Sequence, residues 1–198
     1  MIKEFLLISV FFLCGTIRSD WNLKKKSSGI EVYTRSIQGS DFDEFKGVTV
    51  LSDVTLIEVL NIILDVKNYN NLFPECMNPR ILKQNGKWYD IHYILTKGPL
   101  MLKNRDSIFE QVTVVDQNGK HALIHLKILP DYIAENENMV RVRIGSGFWD
   151  LKEDDRKNVT VTYQFHGEPG GDVPSWLVNR FVVAQPYQTL LNLKNRLN

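Results

Sequence analysis

The chain has 198 residues and carries 24 Lys and Arg against 23 Asp and Glu, a formal net charge of +1. So even a balance lacks the basic excess by which proteins hold nucleic acid or an anionic membrane surface. There are two cysteines, Cys14 and Cys76, too few for a disulfide framework, so the fold is expected to be held by its core.

Residues 5–13 form an apolar run in which only Ser9 is polar. Nine residues at about 1.5 Å each fall short of a bilayer core of roughly 30 Å. The pattern fits a signal peptide over residues 1–19, cleaved after Gly15 or Ser19, and hence an exported, periplasmic or secreted protein. Lipoprotein processing at Cys14 is a second reading, opposed by Leu13, since a small residue is expected just before such a cysteine. An uncleaved anchor or buried first helix is a third. Cleavage removes Lys3, Arg18 and Glu4 and leaves 22 basic against 22 acidic residues, with Cys76 as the only thiol. Lys24-Lys25-Lys26 reads as a solvated entry into one domain over 20–198, which no linker, repeat or low-complexity tract divides.

Residues 30–36 and 42–51 are rich in β-branched and aromatic residues, with Gly39-Ser40 between them, and predict a hairpin. Thr55 and Glu58 have capping-box spacing, and Leu56, Val59, Leu60 and Ile63 mark the buried face of a short helix ending near Asp65. Residues 68–74 continue as a turn or broken helix. Strands follow at 80–84, 88–96, 104–115, 121–129, 139–151 and 158–168, separated by hairpin-type turns at Asn85-Gly86, 116–119 and Asp154-Asp155. In the last strand Val159, Val161, Tyr163 and Phe165 alternate with Thr160, Thr162, Gln164 and His166. Gly170-Gly171 then permit a sharp corner, Asp172 is placed to cap a helix and Pro174 to sit in its first turn. Val173, Trp176, Leu177, Phe181, Ala184, Leu190 and Leu191 recur at helical spacing and form one apolar stripe. Pro186 predicts a kink or break over 182–186, which either fits the helix around a curved sheet or acts as a hinge.

Consecutive strands without crossover helices give an antiparallel sheet, and the whole reads as an α+β domain. A curved sheet with a helix across its mouth encloses space, filled by side chains or kept for a ligand.

Several separated features in order resemble the START family of lipid-transfer domains, within the helix-grip class: Leu64-Asp65, Asn68-Tyr69, Tyr93, Pro99, Arg105-Asp106, Val140-Arg141, residues 147–149, Thr162-Tyr163, and the Pro-Gly-Gly corner running from Pro169 through Trp176 to Asn179. The resemblance covers residues 29–193. It implies a curved antiparallel β-sheet wrapped around a long C-terminal helix, enclosing a hydrophobic tunnel for one lipid or sterol. It further implies a non-enzymatic protein with no cofactor, a monomer in transient contact with a membrane. The apparent signal peptide departs from the cytosolic members and matches small exported bacterial ones.

The candidate ligand-binding residues are Tyr93, Leu95, Arg105, Trp149, Tyr163, Phe165, Trp176, Leu177 and Phe181. Alternation places Tyr89, Ile91, Tyr93 and Leu95 on one strand face, expected to look into the cavity. The resemblance gives Tyr93 a tunnel-facing position and lets Arg105 meet the ligand's polar end. An arginine facing an apolar cavity needs a counter-charge, and Asp106, its sequence neighbour, points to the opposite face. If Arg105 instead points outward, both residues tie loops at the sheet edge.

The rival reading is an enzyme, because helix-grip relatives include cyclases and hydrolases. It needs an acid–base pair inside the cavity, and His92, Asp90 and His166 lie on faces expected to be outward; two of them converging inside would favour it. A third reading is a filled core with a partner-binding surface. His121 and His125 share a strand face but stand about 13 Å apart, too far to share a metal. No nucleophile elbow, phosphate loop or metal-ligand spacing occurs.

Overall fold

The computed structural model describes residues 20–98 and 102–197, so residues 1–19, with the proposed signal peptide and Cys14, and Pro99 of the family pattern lie outside the described residues. The strands are β1 (Asn22–Ser27), β2 (Ile30–Arg35), β3 (Glu44–Leu51), β4 (Cys76–Gln84), β5 (Tyr89–Thr96), β6 (Arg105–Val115), β7 (His121–Ile128), β8 (Val140–Arg141), β9 (Ile144–Glu153) and β10 (Val159–Glu168). Helices α1 (Leu56–Ile63) and α2 (Tyr69–Leu72) sit between β3 and β4, joined by a 3-10 turn, and α3 (Ser175–Asn195) ends the fold.

The sheet runs in the order β1-β2-β3-β10-β9-β7-β6-β5-β4, antiparallel along that path, with β8 added parallel to β6. The join between the first hairpin and the later meander is long-range, β3 pairing with β10 from Phe45↔Phe165 to Leu51↔Val159. The single strand predicted over 139–151 is split in two, because residues 140–141 pair with β6 and the chain then crosses to β7 and β10.

Strand β1 corrects the reading of its lysines as a mere entry segment. It is an edge strand closed by a two-residue turn in which Ser28 and Gly29 both have positive φ, 54° and 74°. That backbone matches the twist of a tight hairpin, and an edge carrying Lys24, Lys25 and Lys26 resists pairing with another sheet.

Helix α1 follows its sequence signals closely. Thr55 caps it, Glu58 returns the bond to the Thr55 amide at 2.8 Å, and Leu56, Val59, Leu60 and Ile63 are buried. Helix α3 departs from them at its start. Val173 bonds Gly171 in the corner, Pro174 takes the cap position with ψ 130°, and Asp172 caps nothing. The helix then runs unbroken through Pro186: one lost hydrogen bond is outweighed by packing on both sides.

That packing divides α3 in two. Its C-terminal half lies on β1, β2 and β3, where Leu190 and Leu193 join Ile30, Val32, Leu51, Ile124, Leu151, Val159, Val161 and the buried face of α1 in one core. Lys194 donates to the Ser28 carbonyl at 3.2 Å and Asn192 to the Leu72 carbonyl at 3.1 Å, fastening the helix end to the first hairpin and to α2. The seat is Gly47 of β3. A Cβ there would stand 2.8 Å from Leu190 Cδ1 and 3.6 Å from Pro186 Cβ. A side chain at position 47 would require the buried Leu190 side chain to shift. Gly47→Val is therefore expected to lower stability by about 1–3 kcal/mol, the usual cost of overpacking, read as a reduced Tm against Thr162→Val on the neighbouring strand.

Candidate functional site

Cross-strand pairing defines one inner sheet face: Phe45 with Phe165, Trp149 with Tyr163, His92 with Phe109, and Asp90 with Gln111. Where the N-terminal half of α3 roofs this face, it is not filled. An inner chamber of about 290 Å³ lies under Val178, Phe181, Val182, Gln185, Pro186 and Thr189. An outer chamber of about 950 Å³ adjoins it, lined by Glu75, Lys97, Arg105, Val173, Leu177 and Ala184. The two share Thr96, Val142, Pro169, Val178, Phe181 and Gln185 as walls.

The inner chamber is bounded by a closed circuit of rings. Tyr69 meets Phe73 at 4.8 Å, Phe73 meets Tyr163 at 6.2 Å, Tyr163 meets Phe45 at 5.0 Å, and Phe45 meets Phe165 at 6.4 Å. Phe165 meets Phe109 at 5.9 Å, Phe109 stacks on His92 at 5.5 Å, and His92 returns to Tyr69 at 5.3 Å. Trp149 lies flat on Tyr163 at 3.9 Å. Such edge and offset contacts each add about 0.5–1.5 kcal/mol beyond area burial and hold the rings at fixed angles, so the circuit is a stiff wall. Glycine makes part of the room: a Cβ on Gly145 would stand 2.9 Å from Phe165 Cζ and one on Gly167 2.7 Å from Phe165 Cε1.

Of the residues expected from the sequence, the structure brings Trp149, Tyr163, Phe165 and Phe181 to the inner chamber and Arg105, Leu177 and Phe181 to the outer one. The side chain of Trp176 lies outside the described residues. Tyr93 and Leu95 are corrected: they look away from both chambers, into a second cluster with Ile91 and Ile108 covered by Leu129, Ile133 and Met139. The Tyr93 hydroxyl donates to Met139 Sδ at 3.5 Å, and the Arg80 guanidinium lies 4.2 Å over its ring. Alternation sorts β5 correctly into two sets, but both faces of the strand are buried, so hydrophobicity cannot tell which looks inward.

The polar set is the inward one, which also corrects the expectation for His92 and Asp90. His92 Nδ1 is 2.6 Å from Asp90 Oδ1, Gln111 Nε2 donates to Asp90 Oδ2 at 2.8 Å, and the Tyr69 hydroxyl donates to Gln111 Oε1 at 3.1 Å and to the Ile63 carbonyl at 2.9 Å. Mutual bonding is what makes buried polar groups affordable here. Desolvation holds the Tyr69 phenol well above its ordinary pKa, so it stays a donor. His166 points outward to Ser40, and of the other two histidines His121 bonds Asp150 at 2.6 Å while His125 is exposed.

Arg105 and Asp106 divide as alternation requires. Asp106 faces outward and is held by Arg141 through bonds of 2.8 and 3.0 Å, both residues buried. Arg141 also donates to the Pro130, Ile133 and Ala134 carbonyls, so the pair clasps the segment that covers Tyr93. Arg105 faces the outer chamber. It is 7% exposed, its described bond goes to the Lys103 carbonyl, and among the described residues it has no carboxylate partner. Burial pulls its pKa below the ordinary arginine value. An isolated buried guanidinium is costly, and it stays charged across the working pH range.

Sequence reasoning missed Phe45, Tyr69, Phe73, Phe109 and His92. The four-residue spacing of Tyr69 and Phe73 on a short helix was the available signal; the others declare themselves only through cross-strand register. Cys76 also lines the inner chamber. Desolvation pushes its thiol up to about 11, so at pH 8 it is protonated and unreactive. Peptide mapping after iodoacetamide at pH 8 should find Cys76 alkylated on the order of 100-fold more slowly than a free cysteine.

Residues 53–192 match the protein family described as "Polyketide cyclase / dehydrase and lipid transport". An uncharacterized protein of Pseudomonas aeruginosa is 36% identical over 194 residues, 96% of this chain and 93% of its own length. The human phosphatidylcholine transfer protein is 24% identical over 164 residues, 81% of this chain and 76% of its own. The crystal structure of a STAR-related lipid transfer protein from Xanthomonas axonopodis superposes with a TM-score of 0.82 at 32% identity, covering 89% of this chain and 98% of that one. A helix roofing an incompletely filled antiparallel sheet and these matches give one conclusion: the chain belongs to the polyketide cyclase/dehydrase and lipid-transport family, among its START proteins.

Proposed function

We propose that this protein binds one lipid or sterol molecule between the sheet and the N-terminal half of α3, and carries it between membranes. The observation that supports this most is the stiff aromatic circuit around an unfilled inner chamber that opens into a larger one. An apolar body burying roughly 300 Å² there gains on the order of 7 kcal/mol at about 25 cal/mol per Å², before the cost of association. Where the ligand carries an anionic or zwitterionic end, that end lies in the outer chamber, where its phosphate or carboxylate gives Arg105 a counter-charge that no described residue supplies. Relatives named for phosphatidylcholine transfer and for STAR-related lipid transfer support this class of cargo.

The proposal includes a cleaved signal peptide over 1–19, one ligand-binding domain over 20–198, a monomeric carrier and transient contact with the donor and acceptor membranes. No described helix is long and apolar enough to cross a membrane.

One observation favours an enzyme instead. His92 and Asp90 do meet at the cavity wall, the arrangement such a reading requires, with His92 Nε2 as base and Asp90 orienting the ring. Its surroundings oppose this: His92 bonds only Asp90 among the described residues, the Cys76 thiol is protonated, and the remaining inner wall is mostly aromatic and aliphatic.

Native mass spectrometry with lipid extraction, on the full-length chain expressed in an exporting host, tests the proposal. The expected result is one lipid per chain, recovered with its mass unchanged after prolonged incubation, and loss of the anionic or zwitterionic species in Arg105→Leu with apolar uptake retained. An empty protein that takes up neither sterol nor phospholipid contradicts the container; a cargo altered in mass by the wild type but not by His92→Asn supports the enzyme. Release requires the roof to lift. Cross-linking Asp43→Cys to Asn179→Cys, at a site where Asn179 Oδ1 accepts from the Asp43 amide at 3.3 Å, is expected to slow lipid exchange at least tenfold, and unchanged exchange kinetics would remove the gate.

A further inference from the structure

His92 sits in a wall that is otherwise mostly apolar, and everything behind it is spoken for. Tyr69 bonds Gln111, Gln111 bonds Asp90, and Asp90 bonds His92 Nδ1, each at hydrogen-bond distance. Both carboxylate oxygens of Asp90 accept, one from the Gln111 amide, so Nδ1 is the ring nitrogen that carries the proton toward Oδ1. Phe109 stacked on one face and Tyr69 set perpendicular to it hold the ring plane. The residue is 2% exposed, and Nε2 has no protein partner among the described residues. With the Nδ1 proton directed at Asp90, Nε2 is the ring nitrogen that carries a lone pair, on a residue that lines the inner chamber.

We propose that His92 Nε2 is the inner-chamber recognition point of the ligand, accepting a hydrogen bond from a hydroxyl on an otherwise apolar body, either a long-chain alcohol or a sterol. This rests on the container reading and adds the chemistry of the buried end of the cargo. The site is distinct from Arg105. Arg105 pairs in register with Thr96, four residues from His92 on β5, which separates the two by about 13 Å along the strand. The two also ask for opposite things. A guanidinium has only donors and treats a hydroxyl and an ether oxygen alike, whereas the Nε2 lone pair can be satisfied by the hydroxyl alone. Facing the chamber without a protein partner among the described residues, that lone pair favours a ligand that brings a donor over one that lacks it.

The test compares each alcohol with its methyl ether, which keeps the oxygen and the apolar body and removes the donor: oleyl alcohol against oleyl methyl ether, and cholesterol against cholesterol methyl ether. On the full-length wild-type chain at least one alcohol should bind about fivefold or more tightly than its ether, and which pair shows the preference distinguishes chain from sterol. In His92→Asn, whose amide N–H can still serve Asp90 in place of Nδ1, the ratio should fall to near one while ether affinity holds. Equal binding of alcohol and ether by the wild type, or a preference retained in His92→Asn, overturns the recognition point and leaves the container standing. Failure of all four probes to bind overturns the recognition point, and the container falls with it only if phospholipid uptake also fails. Should the variant not fold, imidazole ¹⁵N spectra of the wild type decide: the His92 Nε2 resonance moves on adding the preferred alcohol and not its ether, and an unmoved resonance refutes the assignment.

Discussion

The close approach of α3 to β3 at Gly47 governs the rest of the structure. With no side chain at that position, Leu190 and Pro186 come down onto the sheet and the C-terminal half of the helix is fixed by core packing and by bonds to Ser28 and Leu72. Fixing one half sets the path of the other. The N-terminal half then spans the inner face at a height the side chains beneath it do not fill, and the two chambers are what remains. Close packing is the rule in protein interiors, and this region departs from it behind a wall of interlocked rings. The glycines beside Phe165 act in the same sense, letting its ring lie against the sheet instead of projecting into the space.

Two arginines next to the same sheet show how burial separates structure from function. Arg141 meets a carboxylate in bidentate geometry and three carbonyls, so its charge is compensated and it acts as a clasp. Arg105 is about as well buried, yet it has one carbonyl partner and an open chamber in front of it. Desolvation without compensation costs several kcal/mol, and the charged end of the proposed cargo would supply that compensation. The chain through Tyr69, Gln111, Asp90 and His92 is joined link by link, and among the described residues His92 Nε2 is left without a protein partner.

Much of this was legible in the sequence, and the failures share a cause. The capping box at Thr55, the Gly170-Gly171 corner, the strand alternation and the order of the family's residues gave the α+β helix-grip class and the apolar stripe of α3. Local signals sufficed there because the forces are local. At Pro186 the helix does not break, and the cap falls on Pro174 instead of Asp172, because the Gly170-Gly171 corner carries the chain two residues further before the helix begins. Strand β1 was missed because three lysines masked a Ser-Gly hairpin turn. The facing of β5 could not be read at all: both sides are buried, one by the cavity wall and one by the clasped segment, and no pattern of apolar residues distinguishes two interiors. The expectation of Tyr93 in the cavity comes from the resemblance, and Leu95 shares its face by alternation, which leaves His92 and Asp90 to the other side.

The central claim is that the inner chamber admits an apolar ligand against the stack of Trp149 on Tyr163. Energy transfer from Trp149 to cis-parinaric acid measures this directly in a chain whose other tryptophans are replaced, Trp21→Phe, Trp88→Phe and Trp176→Phe. The account predicts transfer that saturates at one probe per chain and is abolished by Ser107→Phe, which fills the chamber from β6. Transfer that rises without saturation, or that is unchanged by Ser107→Phe, would contradict it.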